Sequence, residues 1–206
     1  MTSRNAGAPH YNVVDARDFF ERTAAIDMSG STMMRAFLSR LPGHARILDA
    51  GCGSGRDAMH FAALGHDVCA FDAHPELVAL AREHMGVAVM QLTFAQVDFE
   101  ATFDGIWACA SLLHLPPTDL PDALARLTRA LAPGGVLAVS FKHGRGARHD
   151  RAGRYFNDLD EAGVRDALEA VDGLATLETF TAPDAGGRAQ DWTIGLARKS
   201  GGQPSA

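Results

Sequence analysis

The sequence lacks the features that mark secreted, membrane-spanning or metal-binding proteins. It has only three cysteines in 206 residues, and no two form a C-x-x-C pair, so we expect reduced thiols and no metal site. Met1 to His10 lacks the basic region and apolar run of a secretory signal, and no apolar stretch is long enough to span a bilayer. These absences predict a cytoplasmic protein without a membrane segment.

A surplus of positive charge is also missing. The formal net charge is −6 and the sequence pI is near 5.8, so the chain has no general attraction for phosphate backbones. Basic residues are concentrated only in Lys142 to Arg154, which holds four arginines, one lysine and two histidines but no accompanying aromatic stacking platform. The composition therefore argues against nucleic acid and favours a small-molecule substrate.

Strands and helices alternate along most of the chain. Apolar periodicity and Gly/Pro stops predict helices at 11–26, 32–41, 57–64, 75–85, 119–132 and 158–171, and strands at 45–50, 67–71, 87–92, 104–110, 135–141, 174–181 and 191–198. This alternation is typical of a doubly wound α/β fold. We expect a Rossmann-like, mostly parallel seven-stranded sheet with an antiparallel closing strand and an N-terminal helical cover.

The length and the ordinary hydrophobic content of 47% predict one domain. We place that domain at residues 11–199, between a flexible N-terminus at 1–10 and a flexible tail at 200–206. Lys142 to Arg154 has no apolar period and is predicted to be a polar loop. It has two interpretations, a solvated charge run or a lid that recruits an anionic substrate through its arginines.

The turn after the first strand has three glycines in five residues, Gly51, Gly53 and Gly55. Glycines there allow positive φ and close approach of a ligand to the main chain. Asp72 follows the second strand, 21 residues beyond Gly51, where a carboxylate can accept hydrogen bonds from ribose hydroxyls. The alternatives are a tight turn without a ligand and a helix N-terminal role for Asp72, but the two features together predict a nucleoside-containing ligand.

The glycine spacing is G-x-G-x-G, whereas a nicotinamide dinucleotide site would have G-x-G-x-x-G. Asp49 to Gly55, read as D-A-G-C-G-S-G, resembles the first motif of class I S-adenosylmethionine-dependent methyltransferases. The resemblance extends over 11–199 in element order and includes Asp104 to Leu115 and Leu131 to Gly135. It implies a methyltransferase that uses S-adenosyl-L-methionine.

The resemblance also implies site residues. Asp49 would hold the methionine ammonium, Gly51 and Gly53 would lie against the cofactor, and Asp72 would bind the ribose, followed by Ala73. The full set of implied cofactor-binding residues is Tyr11, Asp49, Gly51, Gly53, Asp72, Ala73, Phe94 and Ala110. Within the family, the short chain, the helical cover and Gly55-Arg56-Asp57 resemble the small tellurite-resistance type.

Several assignments stay open at this stage. The chain has no carboxylate after the third strand before Asp98, so we expect adenine to pack on Phe94, with Gln96 or Asp98 as alternative hydrogen-bond partners; Phe94 as a core residue is the other interpretation. Tyr11 is either a cofactor contact or a surface cap. His114 is either a hydrogen-bonded structural residue or a general base, so no catalytic residue is assigned.

Transfer of a methyl group from a sulfonium is an in-line displacement, and a base is needed only if the acceptor must lose a proton. We expect methyl transfer to a small molecule, with an anionic acceptor as one option, by a monomer or weak dimer. The alternatives are a non-catalytic S-adenosylmethionine-binding sensor or partner subunit and, disfavoured by the glycine spacing, a nicotinamide-dependent oxidoreductase.

Overall fold

The computed structural model describes residues 15–86 and 88–201. Six helices lie within that part of the chain: α1 (Ala16–Ala24), α2 (Thr32–Leu38), α3 (Arg56–Ala63), α4 (Pro75–Met85), α5 (Leu120–Ala130) and α6 (Glu161–Glu169). The described strands are β1 (Arg46–Ala50), β2 (Asp67–Asp72), β3 (Ala88–Gln91), β4 (Phe103–Ala108), β5 (Leu131–Lys142), β6 (Gly146–His149), β7 (Tyr155–Asp158), β8 (Leu174–Pro183) and β9 (Asp191–Lys199). Short 3₁₀ turns occupy Phe94–Gln96 and Leu112–His114.

Seven strands form the main sheet in the order β3-β2-β1-β4-β5-β9-β8. The pairs from β3 to β5 are parallel, and β9 is antiparallel to both of its neighbours. The predicted mostly parallel, seven-stranded sheet is confirmed, and the antiparallel strand lies one position inside the edge formed by β8. The order reverses at β1, so the turn after β1 is at the switch point where open α/β sheets bind ligands.

Helices cover both faces of this sheet. On one face α2, α3 and α4 pack against the strands, and the ring centroids of Phe37, Phe61 and Trp107 lie 5.2 to 5.7 Å apart. On the other face α5 and α6 bury apolar side chains such as Leu124 and Val164. Full burial of each such side chain contributes about 1.5–3 kcal/mol, so this two-sided core holds the carboxyl ends of the strands in place.

The predicted helices are confirmed with shorter ends. Helix α1 begins at Ala16 because the Asp15 side chain accepts a hydrogen bond from Asp18 N, as an N-cap does. Helix α5 ends at Ala130, two residues before the predicted end, because Leu131 adopts extended backbone and pairs with Phe103 of β4. Tyr11 and the start of the predicted first helix lie outside the described residues.

The prediction of a polar loop over Lys142 to Arg154 is wrong. Part of this segment forms β6, which pairs antiparallel with β7 in a separate two-stranded sheet. All four residues of β6 are exposed and all four residues of β7 are buried, so neither strand shows the alternation by which strands are recognised. The predicted helix from 158 begins later, at Glu161, with Asp160 as its N-cap.

Candidate active site

The glycine turn is tied to the neighbouring strand. Gly51 N and Cys52 N both donate hydrogen bonds to Phe71 O at 2.9 Å. Gly51, Gly53 and Gly55 have φ values of +80°, +55° and +77°, which L side chains rarely adopt. A Cβ on Gly51 would also lie 2.4 Å from the Cβ of Ser111. The turn therefore requires glycine both for its backbone conformation and for the close approach of the β4 exit.

Asp49 is buried at the end of β1, with 3% exposure. Its Oδ2 atom accepts no hydrogen bond from any described residue. Burial, together with the negative charge of Asp57, raises the pKa of Asp49 well above its usual range. A buried carboxylate oxygen without a donor is suited to a cationic ligand group, so the site fits the methionine ammonium that the resemblance assigns to it.

A cavity of about 360 Å³ opens beside this turn. Of the predicted cofactor residues, Asp49, Gly51, Gly53 and Ala110 line it. Phe19 of α1 and Met33 of α2 form part of its wall, so the N-terminal helices cover the site as expected. Several residues that the sequence did not assign to the cofactor site line it as well: Arg56, Asp57, Ser140, Phe156, Asp184, Arg188 and Trp192.

Three other predicted residues, Asp72, Ala73 and Phe94, are not among the described residues that line this cavity. The Phe94 ring packs edge-on against Phe71 at 5.3 Å between centroids, and its Cζ would lie 3.7 Å from a Cβ on Gly51. Phe94 is thus close to the glycine turn and also in contact with the core, so both of its interpretations stay open.

Asp72 links the glycine turn to the start of α4. Its Oδ2 accepts from Gly53 N at 2.9 Å and its Oδ1 accepts from His74 N at 2.8 Å. Burial raises its pKa, although these backbone hydrogen bonds oppose the shift. Each carboxylate oxygen can accept more than one hydrogen bond, so these contacts leave acceptor capacity for a ribose.

We predict that Asp72→Ala weakens S-adenosylmethionine binding by about 1–3 kcal/mol, because charge-assisted hydrogen bonds to the ribose are lost. Calorimetric titration measures the change. The matched control is Asp67→Ala at the opposite end of β2, where the carboxylate is exposed and pairs with Arg46. Unchanged affinity in Asp72→Ala would remove this residue from the site.

A buried polar cluster lies on the other side of Asp49. Asp57 accepts from Arg56 Nε at 2.7 Å, from Arg56 Nη2 at 3.0 Å and from Trp107 Nε1 at 2.8 Å. Sequence reasoning singled out Gly-Arg-Asp only as a subtype marker. Its partner Trp107 is 50 residues away in the chain, so no local signal indicated the cluster.

The two cysteines at the site are protonated near neutral pH. Burial, followed by the charge of Asp57, raises the pKa of Cys109 to about 12. Burial and the charges of Asp49 and Asp72 raise the pKa of Cys52 well above its usual range. The thiolate is the nucleophilic form of cysteine, so neither residue is suited to nucleophilic catalysis.

The exit of β4 is held by two serines. Ala110 has φ of +53°, which is uncommon for a residue with a Cβ. Its N–H donates to Ser140 Oγ at 2.8 Å, and the Ser111 hydroxyl donates to Ala50 O at 2.6 Å. These bonds connect the ends of β1, β4 and β5, so the strained backbone at Ala110 is fixed where the cavity wall needs it.

His114 lines the cavity, and its Nδ1 lies 2.8 Å from Tyr155 O. A carbonyl only accepts, so we assign the proton to Nδ1, which makes Nε2 the basic nitrogen. Burial lowers the pKa of His114 to about 4, so the ring is neutral at pH 7. The geometry is compatible with both the structural role and the proton-accepting role.

Most arginines of the 142–154 segment are paired within the chain. Arg145 pairs with Asp160, Arg148 with Asp158 and Arg154 with Asp150. Arg151 is exposed and does not line the cavity, whereas Lys142 and Arg154 do. The predicted arginine lid is therefore largely neutralised by neighbouring aspartates.

The turn between β8 and β9 closes another side of the cavity. Asp184 accepts from Arg188 Nη2 at 2.6 Å and from Trp192 Nε1 at 2.8 Å. Burial opposes ionisation of Asp184, but the hydrogen bonds from Arg188 and Trp192 outweigh it and lower its pKa to about 2. This wall stays charged and hydrogen-bonded over the physiological pH range.

The described residues contain no group of three or more His, Cys, Asp or Glu side chains placed to hold a metal ion. Among the same residues, no helix is long and apolar enough to cross a membrane.

Sequence comparison finds a similarity to methyltransferases over the centre of the chain. Residues 47–135 match the family described as "Methyltransferase domain". A ubiquinone biosynthesis O-methyltransferase of Xanthomonas oryzae pv. oryzae (strain PXO99A) is 38% identical over 104 residues, which cover 47% of this chain and 42% of that protein. A malonyl-[acyl-carrier protein] O-methyltransferase of Enterobacter lignolyticus (strain SCF1) is 35% identical over 113 residues, covering 51% of this chain and 43% of the relative. The chain thus spans less than half the length of these curated relatives.

Structural comparison extends the likeness over nearly the whole chain. The 1,6-didemethyltoxoflavin-N1-methyltransferase of Burkholderia thailandensis, solved with 1,6-didemethyltoxoflavin and S-adenosylhomocysteine bound, is 26% identical with a TM-score of 0.69, covering 90% of this chain and 87% of that chain. The [4+2]-cyclase SpnF has a TM-score of 0.66 at 21% identity, covering 82% of this chain and 80% of that chain. This likeness shows the fold alone. Sequence and structure agree on a Rossmann-like methyltransferase fold.

Proposed function

We propose that this chain is an S-adenosylmethionine-dependent methyltransferase acting on a small molecule. The observation that carries the proposal is that the Oδ2 atom of buried Asp49, near the end of β1, accepts no hydrogen bond from any described residue and lies beside the glycine turn, where both line a cavity of about 360 Å³. Small-molecule sites are concave and enclose most of the ligand, and this cavity continues from the turn to the ends of β4 and β5. Donor and acceptor would therefore share one enclosed space.

Each residue has a role that follows from its position. Asp49 would bind the ammonium of the cofactor, Gly51 and Gly53 would let it approach the main chain, and Asp72 would hold its ribose. When bound, the cofactor supplies a sulfonium methyl group open to in-line attack. The walls formed by α1, α2 and the β8–β9 turn would exclude water and align the acceptor, which can provide much of the acceleration.

His114 could take a proton from a methyl-accepting substrate that ionises weakly, because Nδ1 carries the proton of the ring and Nε2 has the lone pair. Its low pKa keeps it neutral at pH 7 but also makes it a weak base. Acceptors already ionised at neutral pH would not need it. His114 therefore has a supporting role in this proposal.

The finer expectations belong to the same proposal. Gly55-Arg56-Asp57 supports the tellurite-resistance type, although Arg56 and Asp57 already have a structural explanation in their contacts with each other and Trp107. A cytoplasmic monomer or weak dimer that does not act on nucleic acid is consistent with the acidic composition and the free cysteines.

Transfer of a labelled methyl group from S-adenosylmethionine to tellurite, selenite, thiols and aromatic hydroxy acids tests the proposal. We expect S-adenosylhomocysteine release that depends on one of these acceptors. Tight cofactor binding with no turnover across the panel would favour the non-catalytic sensor instead. SpnF, a cyclase on the same fold, is a reason to test turnover directly, since fold alone does not fix function.

A further inference from the structure

Among the described residues, four cationic side chains line the cavity, and three of them have carboxylate partners. Arg56 pairs with Asp57, Arg154 with Asp150 and Arg188 with Asp184. Within the described part of the chain, Lys142 makes no ion pair with a carboxylate within 4.0 Å and no hydrogen bond through Nζ. Lys142 is thus the cavity cation whose charge lacks a direct counterpart.

The surroundings of Lys142 make this charge costly. Its side chain is half-buried, and Nζ lies 3.9 Å from the centroid of the Phe156 ring, which Arg148 and Arg154 also approach at 5.0 and 5.5 Å. Burial, followed by the charge of Arg148, lowers the pKa of Lys142, although Asp158 and Asp150 oppose the shift. An anion bound here would recover the favourable interaction that burial removes.

One aromatic ring contacts the ammonium of Lys142, and a second aromatic residue pairs with Lys142 across the sheet. Phe156 lies beneath the ammonium, and Trp192 of β9 is directly opposite Lys142 in the antiparallel register of β5 and β9. Side chains of such cross-strand pairs project from the same face, and Phe156, Lys142 and Trp192 all line the cavity. A cavity lined by a cation and two aromatic side chains suits a ligand that is both planar and anionic.

The distance from the glycine turn is also suitable. Strand β4 separates β1 from β5, and the register pairs Asp49 with Trp107 and Trp107 with Ala138, four residues before Lys142. With about 4.8 Å between neighbouring strands and about 3.3 Å per residue along a strand, Lys142 is roughly 16 Å from Asp49. A cofactor held at Asp49 and an aromatic acid beside it would together span that distance. The reacting atom of the acid would then face the methyl donor while its carboxylate faces Lys142.

We propose that Lys142, which lies over Phe156 and opposite Trp192, binds the carboxylate of an aromatic acid that accepts the methyl group. This assignment rests on the proposed methyltransferase function and makes Lys142 a specificity-determining residue. It replaces the arginine lid as the means of recognising an anionic acceptor.

The test compares 3,4-dihydroxybenzoate with 3,4-dihydroxybenzamide in the full chain with S-adenosylmethionine. We expect the wild type to favour the carboxylate by about tenfold or more in kcat/KM, as a charge-assisted hydrogen bond would provide. Lys142→Met should raise the KM for the carboxylate about tenfold and leave the KM for the amide nearly unchanged. Lys142→Arg should retain much of the preference.

Arg151→Met is the matched control, since it removes one positive charge from the same segment outside the cavity. The assignment would be overturned if Lys142→Met lowered kcat/KM equally for both acceptors. It would also be overturned if the wild type showed no preference for the carboxylate over the amide. The assignment would also be overturned if the wild type methylated tellurite or thiols but neither benzoyl compound. In that case the proposed methyltransferase function would still hold. Failure of the proposed function is distinguishable, because S-adenosylmethionine would then not be bound or no acceptor would be methylated. A loss of cofactor affinity in Lys142→Met would place the residue at the cofactor instead.

Discussion

Replacing Asp49 with asparagine is expected to weaken S-adenosylmethionine binding by about 3 kcal/mol, or roughly 100-fold in Kd. The substitution keeps the shape of the side chain but removes the charge that would face the ammonium. Calorimetry measures the loss. Asp122→Asn is the control, because that carboxylate is largely exposed on α5. An unchanged Kd for Asp49→Asn would contradict the assignment.

The same substitution should stabilise the protein without cofactor. The folded-state pKa of Asp49 is raised, so its contribution to stability is fully present below the unfolded pKa and is lost as pH rises through the folded value. Ionisation of this buried carboxylate therefore opposes folding. We expect Asp49→Asn to increase the free energy of unfolding by about 0.5–2 kcal/mol at pH 7, measured by urea denaturation. A decrease would mean that the carboxylate is stabilised by a protein partner.

The raised pKa also gives cofactor binding a pH dependence. Below this pKa, Asp49 is protonated in the free protein, so binding of a cationic group must release the proton. Affinity for S-adenosylmethionine should therefore fall as pH is lowered through the raised pKa. Asp49→Asn should lose this dependence, which calorimetry in buffers of different ionisation enthalpy can detect. A wild type and an Asp49→Asn variant with the same pH profile would exclude Asp49 as its source.

Asp57→Ala is expected to cost about 3–5 kcal/mol of folding stability, because it leaves a largely buried guanidinium without its carboxylate. Arg56 has 20% side-chain exposure, and Trp107 Nε1 would also lose its acceptor. Relief of the repulsion between Asp57 and Asp49 offsets a part of this loss. Urea denaturation of the variant measures the balance.

Trp107→Phe serves as the partial control for this cluster, since it removes one hydrogen bond at a cost of about 1–3 kcal/mol and keeps the Arg56–Asp57 pair. Arg56→Met combined with Asp57→Leu should recover a large part of the loss, because it replaces a buried pair with apolar groups. If the free energy of unfolding of Asp57→Ala is within about 1 kcal/mol of the wild-type value, the cluster does not have the stabilising role that we assign to it.

The parts of the fold that were predicted correctly are those that depend on local sequence patterns. The glycine turn, the strand–helix alternation and the sheet class depend on residues within a few positions of one another. The 142–154 segment failed because β6 is wholly exposed and β7 wholly buried, which removes the alternation of a half-buried strand. The antiparallel closing strand was predicted and is confirmed as β9, and its place beside β5 depends on pairing between distant parts of the chain.

The residues proposed to bind the methyl donor come from one sequence motif, whereas those proposed to bind the acceptor do not. Asp49 and Gly51 lie in one motif, and both line the cavity. The acceptor walls come from residues far apart in sequence, such as Lys142, Phe156 and Trp192, whose proximity follows from the β6–β7 hairpin and the β5–β9 pairing. No single stretch of sequence contains that arrangement.

The central claim is that the glycine turn holds S-adenosylmethionine through Asp49. Calorimetric titration of the wild-type chain with S-adenosylmethionine, S-adenosylhomocysteine and NAD tests it most directly. We predict binding of both methionine derivatives at one site per chain and no binding of NAD. Binding of NAD with neither methionine derivative bound would contradict the account.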